Sequence, residues 1–347
     1  MIEHTDPARP RRRSDAPMSP PMSHAQFTES DEGLHPAQDH PLWQESVLLH
    51  WYDARQGIGG WHRIGHEPNN QGGRAALWSY LFDRDGAWQY RRCGETVLTA
   101  ADRLKYGLAA GTALRFEYRA GAAHWQVEDS ELSAQLECRD VSPRVDPFPP
   151  GDPLAAARFP NHFEAAGIVR GTVRYMGRQL AISGYGYRDH SWGARDWQHG
   201  MLNHRWFTGV LGEECTFAAI TAQSASGRLV RTGYLCRRGA VTHATEVDVI
   251  AYLEPDGLTH RGGRIRLTLP DQEIVEIRCA ARAGVAFQRG TVVMVEMMCE
   301  AEGLGLKGYC DAEISTNPRN GTGPIHLALN ATTFDGFSPY APLNLPS

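Results

Sequence analysis

Short runs in which apolar and polar residues alternate dominate the chain from about residue 75 onward, and a period of two marks half-buried strands. AALWSYLF (75–82), ALRFEY (113–118), HWQVED (124–129) and LSAQLEC (132–138) read this way, with Gly- or Asp-rich turns such as DRDG (83–86) and RAGAA (119–123) between them. The prolines of VSPRVDPFPPGDP (141–153) break the pattern and predict a linker or a long crossover. Alternation then resumes. FEAAGIVRGTVRY and RQLAISGYGYR flank Met176-Gly177, a hairpin signal. RWFTGVL (205–211), CTFAAITAQ (215–223), LVRTGYLCR (229–237), THATEVDVIAYL (242–253), GRIRLTLP (263–270), EIVEIRC (273–279), TVVMVEMMCEAE (291–302) and KGYCDAEIS (307–315) follow. Many short strands, tight turns and almost no helical period predict an all-β chain of barrels or sandwiches. Two β-barrel units in tandem are expected, over residues 39–150 and 151–347. Residues 1–38, rich in Pro, Ser, Asp, Glu and Arg, read as a disordered leader.

Composition narrows the picture. A chain of 347 residues, 41% of them apolar, is long enough to bury two cores. Its net charge of −5 argues against a nucleic-acid partner. The seven cysteines are scattered without a C-x-x-C pair and predict buried thiols in a reducing compartment. No run approaches about 18 apolar residues, so stable membrane insertion is not expected. No apolar stretch follows Arg11, Arg12 and Arg13, so the cytoplasm is the expected compartment. Oligomeric state leaves no mark in the sequence.

Candidate chemistry concentrates in GYGYRDHSWGARDW (184–197). On a strand, Leu180, Ile182, Gly184, Gly186, Arg188, His190 and Trp192 share one face, and Tyr185, Tyr187, Asp189 and Ser191 share the other. If the first face looks into a barrel, packed core gives way to two small glycine positions and then to Arg188, His190 and Trp192, which makes a pocket wall. A bulge at either glycine would bring Asp189 inward instead. The competing reading is a structural corner, with Trp192 and Trp197 as anchors and Arg195 and Asp196 in a self-satisfying polar network with Asp189.

Other clusters are less concentrated. WHRIGHEPNN (61–70) holds His62, Arg63, His66 and Asn69 and reads either as a surface loop or as the wall of a barrel mouth. In NHRW (203–206), His204 and Trp206 share a face and could neighbour His190. Glu296 shares a face with Val292, Met294 and Met298. There it is either a desolvated general acid or part of an outward face. His190, His199 and His204 lack the spacing of metal ligands, so neither a metal nor another cofactor is expected. Phosphate loops, dinucleotide fingerprints and the hydrolase nucleophile elbow are missing from the sequence.

The GYGYRDHSWGARDW block resembles the glycine–tyrosine–Asp-His-x-Trp-Gly signature of the carotenoid 1,2-hydratase and AttH-like superfamily, and WHRIGHEPN looks like the N-terminal half of its bacterial relatives. The resemblance implies two lipocalin-like (calycin) barrels and an apolar isoprenoid-, steroid- or polyketide-like substrate. The implied chemistry is hydration of a double bond, or cyclisation in distant fungal relatives. Asp189 or His190 would then donate the proton, and Arg188 or Arg195 would orient the substrate. Trp192 and Trp206, with Tyr185 and Tyr187, would face a developing cation. One departure stands out: hydratases of the family carry a further acid on a strand after the motif, whereas CTFAAITAQ has none and only Glu213 and Glu214 lie nearby. A carrier of such a molecule, or a pericyclase working by shape, fits the same fold.

Overall fold

The computed structural model describes residues 27–317 except 71, 86–88, 149–160, 197–200, 225–227, 256–258 and 290, together with 331–333. Alternating sequences become strands almost everywhere. The first sheet holds β1 (Trp43–Asp53), β2 (Ile58–Glu67), β3 (Arg74–Asp83), β4 (Gln89–Val97), β5 (Arg103–Leu104) and β6 (Gly107–Ala110). It continues with β7 (Leu114–Arg119), β8 (Ala122–Glu128), β9 (Leu132–Asp140), β10 (Asn161–Tyr175) and β11 (Arg178–Ala194). The second sheet holds β12 (Met201–Val210), β13 (Cys215–Ser224), β14 (Leu229–Arg237), β15 (Ala240–His243) and β16 (Glu246–Leu253). It ends with β17 (His260–Thr268), β18 (Ile274–Arg289), β19 (Val292–Gly303), β20 (Leu306–Thr316) and the short β21 (Ala331–Thr333).

The first sheet runs in the order β4-β3-β2-β1-β11-β10-β9-β8-β7-β6-β5, and the second in the order β15-β14-β13-β12-β20-β19-β18-β17-β16-β21. Each curls into a half-barrel around its own apolar core, the tandem lipocalin-like architecture expected from the sequence. Leu49, Trp51, Phe116 and Trp125 fill the first core; Phe207, Phe217, Ile265 and Ile277 fill the second. A third cluster, with Tyr52, Trp61, Tyr80 and Tyr187 from one sheet and Val210, Met294, Met298 and Tyr309 from the other, joins the two.

Three features depart from the sequence reading. The change of sheet falls between Ala194 and Met201, not at 150/151, because β10 and β11 close the first sheet by pairing with β9 and β1. The proline-rich stretch is a clasp: Val145 packs with Ala218 and Tyr234, and Phe148 with Ile220, on the second sheet. Part of the supposed leader is packed. Residues 29–32 form a 3₁₀ turn capped by Thr28, Glu32 is fully buried, and His35 lies against Trp192. Residues 1–26 lie outside the described residues. WHRIGHEPNN is not a surface loop, since most of it is buried strand β2. All seven cysteines are free thiols.

Candidate active site

Strand β11 pairs with β1 and β10 in unbroken register through the motif, so the alternation counted from the sequence holds without a bulge. Both of its faces are buried, and they do different work. Arg188, His190 and Trp192 lie on the face turned to the first sheet's own core, not on a pocket wall. Arg188 is 2% exposed and bonds Asp140 through Nε at 2.8 Å and Glu32 through Nη1 and Nη2 at 3.0 and 2.7 Å. His190 Nε2 is 3.0 Å from Glu45 Oε1, which also lies 2.8 Å from His35 Nδ1. The His35 ring stacks on Trp192 at 3.7 Å. This face fastens the N-terminal segment to the sheet through Glu32 and His35, partners that neither sequence reading included.

The glycines leave no vacant space there. A β-carbon on Gly184 would come within 2.1 Å of the Tyr52 carbonyl oxygen, and one on Gly186 within 2.5 Å of Val169 Cγ2. They allow close packing by neighbouring strands, not the approach of a ligand.

The other face opens onto a cavity of about 60 Å³ between the two sheets. Tyr187 and Asp189 reach it from β11, His162 and Glu164 from β10, His50 from β1, and Arg63 from β2. Arg195 lines it just beyond β11. The second sheet contributes His204 and Trp206 from β12, Glu296 from β19, and Asp311 and Glu313 from β20. Of the sequence-predicted residues, Tyr187, Asp189, Arg195, His204, Trp206 and Glu296 therefore meet here. Arg188, His190, Trp192, Gly184 and Gly186 do not, and Tyr185 lies in a separate cleft. His204 and Trp206 face His162, Glu164 and Glu313, with His190 on the far side of the first sheet.

Within the cavity the carboxyl groups are driven apart in acidity. Glu164 is fully buried, and burial pushes it up to about 7 against the pull of His162 and the bonds it accepts. Tyr187 donates to its Oε2 and Trp206 Nε1 to its Oε1, both at 2.6 Å. The Tyr187 hydroxyl is also 2.5 Å from that of Tyr234. Burial alone would raise Asp189 as well, but His162 at 3.6 Å, with Arg195 and Arg63, holds it below the usual carboxylate range. His162 is raised in turn: Asp189 and Glu164 outweigh the desolvation of its ring.

Glu296 and Asp311 share a hydrogen bond, and both stand well above the ordinary range: burial raises each, Asp311 and Glu313 repel Glu296, and Glu313 repels Asp311. His50, 3.3 Å from Asp311 and bonded to the Tyr309 hydroxyl, is pushed down to about 3 by desolvation. The cavity thus combines an aspartate held below the ordinary carboxylate range, two carboxyls raised well above it and one at about 7. Such a spread separates acid and base roles. Trp61, Trp78 and Trp206 add aromatic surface to the wall, and Arg63 lies 4.8 Å over the Trp78 ring.

Sequence reasoning missed His50, His162, Glu164, Asp311 and Glu313. The signal was an acid alternating with apolar core positions in a short strand run: Glu164 inside Phe163-Glu164-Ala165-Ala166, and Asp311 and Glu313 between Cys310, Ala312 and Ile314 of KGYCDAEIS. The last two supply acids from β20, which pairs with β12 on the edge opposite the acid-free β13. Within WHRIGHEPNN, Trp61 and Arg63 reach the cavity. His62 accepts from Trp51 in the core, His66 bonds the Ala109 carbonyl, and Asn69 donates to the Gln38 carbonyl. His35, Glu45 and His190 lie far apart along the chain, yet the fold gathers their ligand atoms within 4.8 Å of one another. Glu45 is satisfied there by both imidazoles, which hold it below its ordinary value although burial opposes them.

Comparison with known proteins sets this architecture in a class. A structure of a candidate AttH protein from Nitrosomonas europaea superposes with a TM-score of 0.63 at 12% identity, covering 85% of this chain and 98% of that one. CghA with Sch210972 gives 0.56 at 14% identity, covering 80% and 89%. Kievitone hydratase from Nectria haematococca gives 0.54 at 10% identity, covering 84% and 93%. These structures share the carotenoid-hydratase and lipocalin-like fold. The model of a domain of unknown function, DUF7064, matches residues 28–318, and the chain belongs to that family. No curated protein matches the sequence significantly.

Proposed function

We propose that the protein is an acid–base enzyme of the hydratase or cyclase type, acting on an unsaturated, largely apolar molecule in the cavity between the sheets. The observation that carries this reading is Glu164, a buried carboxyl at about 7 that shares the cavity with an Asp189 held below the ordinary carboxylate range and with Glu296 and Asp311 raised above it. Kievitone hydratase, which has the same fold, is by name a hydratase.

In the proposed reaction the π electrons of a substrate double bond take the Glu164 proton and form a C–H bond. The neighbouring carbon becomes cationic. Trp206, Trp61 and Tyr187 face it, each aromatic ring worth about 0.5–2 kcal/mol, and Asp189 supplies a fixed negative charge. In hydration, water adds to the cation and its released proton returns to the Glu164 carboxylate. In cyclisation, a second double bond of the substrate adds instead, and a proton lost from carbon restores Glu164.

The test uses kievitone, geraniol and farnesol as probes in heavy-oxygen water. Label in the product indicates hydration, and an unlabelled isomer indicates cyclisation. Glu164→Gln should lower either turnover by about 10²–10⁴-fold. Probes recovered bound but unchanged from wild-type protein would contradict the enzyme reading and favour a carrier.

A further inference from the structure

The reaction cavity is small, about 60 Å³, yet a cleft of about 600 Å³ lies next to it along the same strands. That is the size range of sites for drug-sized molecules. Same-face neighbours lead from one to the other: His50 to Tyr52 on β1, Tyr187 to Tyr185 on β11, and Asp311 to Tyr309 on β20. The His50–Tyr309 hydrogen bond stands between the two spaces.

The second sheet forms the cleft in rows set by strand register. Ala280, Glu300 and Tyr309 make one row, and Arg278, Glu302 and Lys307 the next row out. Tyr52 and Tyr185 cover the inner row from the first sheet. Glu300 is occupied by Arg84 at 2.9 Å and Arg282 at 2.7 Å. Arg278 and Lys307 have no ion-pair partner among the described residues, so the outer row sets two cations against the single carboxylate of Glu302.

We propose that this cleft is a second ligand site, which binds an amphipathic anion with its charged end on Arg278 and Lys307 and its apolar body over Ala280, Tyr52, Tyr185 and Tyr309. The outer row lies four residues from Asp311 along β20, about 13 Å at strand rise. A chain of medium length therefore spans from the cationic rim to the reaction cavity. Only that continuity rests on the catalytic reading; binding in the cleft does not.

Calorimetry on the full chain with dodecanoate, dodecyl phosphate and dodecanol tests this without any turnover. The anions should bind at least about tenfold more tightly than dodecanol, a difference of about 1.4 kcal/mol. The stronger of the two anions identifies the headgroup as carboxylate or phosphate. Arg278→Gln combined with Lys307→Gln should remove the anion preference and leave dodecanol binding unchanged. Ala280→Trp, at an exposed position on the cleft floor, should abolish binding of all three with the melting temperature retained. Glu164→Gln should bind dodecanoate as wild type does, so failure of the catalytic reading leaves this result intact. Equal affinity for dodecanol and the anions, no anion binding, or wild-type binding by Ala280→Trp would overturn the proposal.

Discussion

Glu164 and His190 lie on neighbouring strands, and burial treats them in opposite ways. Glu164 is raised from 4.5 to about 7 chiefly by desolvation. The folded state then holds a proton that the unfolded chain releases, so this group's stabilising contribution is full below pH 4.5 and is lost as pH rises through about 7. A shift of that size corresponds to about 3 kcal/mol. Holding Glu164 protonated near neutral pH thus comes at the expense of stability above it.

His190 instead joins a polar cluster through Nε2, while its buried Nδ1 has no hydrogen-bond partner among the described residues. It shares Glu45 with His35, and its ring meets Trp192 and Phe163 edge-on. His190→Ala should destabilise the fold by about 3 kcal/mol, because it strips a partner from a buried carboxylate. Binding to the folded fraction should be unaffected. Thermal melts and ligand titrations on the same variant check both halves, and loss of binding without loss of stability would return His190 to the active site.

At the scale of elements, much of the β-structure was legible. LVRTGYLCR coincides with β14, and the Met176-Gly177 turn joins β10 to β11. Alternation also assigned the two faces of β11 correctly. It could not say which face meets the cavity, because parity separates faces but does not label them, and here both are buried. Polar residues misled for a related reason. His62, Arg63 and His66 read as loop chemistry, yet β2 is buried on both sides and finds partners for them in the core and the cavity. The N-terminal segment was misread because its composition is that of a linker, while one residue in it, Glu32, neutralises both Arg188 and Arg144. Deleting residues 1–38 should therefore cost about 3–5 kcal/mol, the penalty for breaking a buried ion pair. An unchanged melting temperature for the truncated chain would show that the segment contributes nothing.

At the scale of the molecule, two half-barrels each bury an apolar core and set their remaining chemistry face to face. Neither sheet alone assembles the acid–base set: Glu164 and Asp189 come from the first, Glu296 and Asp311 from the second. The Tyr187–Tyr234 and Trp206–Glu164 hydrogen bonds cross between the sheets and fix the geometry in which the carboxyl groups are desolvated. The central claim is that this enclosure gives Glu164 a proton to transfer near neutrality, and its titration tests that most directly. Carbon NMR of isotope-labelled glutamate side chains, with the Glu164 signal assigned by its absence in Glu164→Gln, should show a midpoint near the value of about 7 set by burial. A midpoint at or below the ordinary 4.5 would mean that Glu164 is ionised at neutral pH, and the cavity would lose the acid on which the proposed chemistry depends.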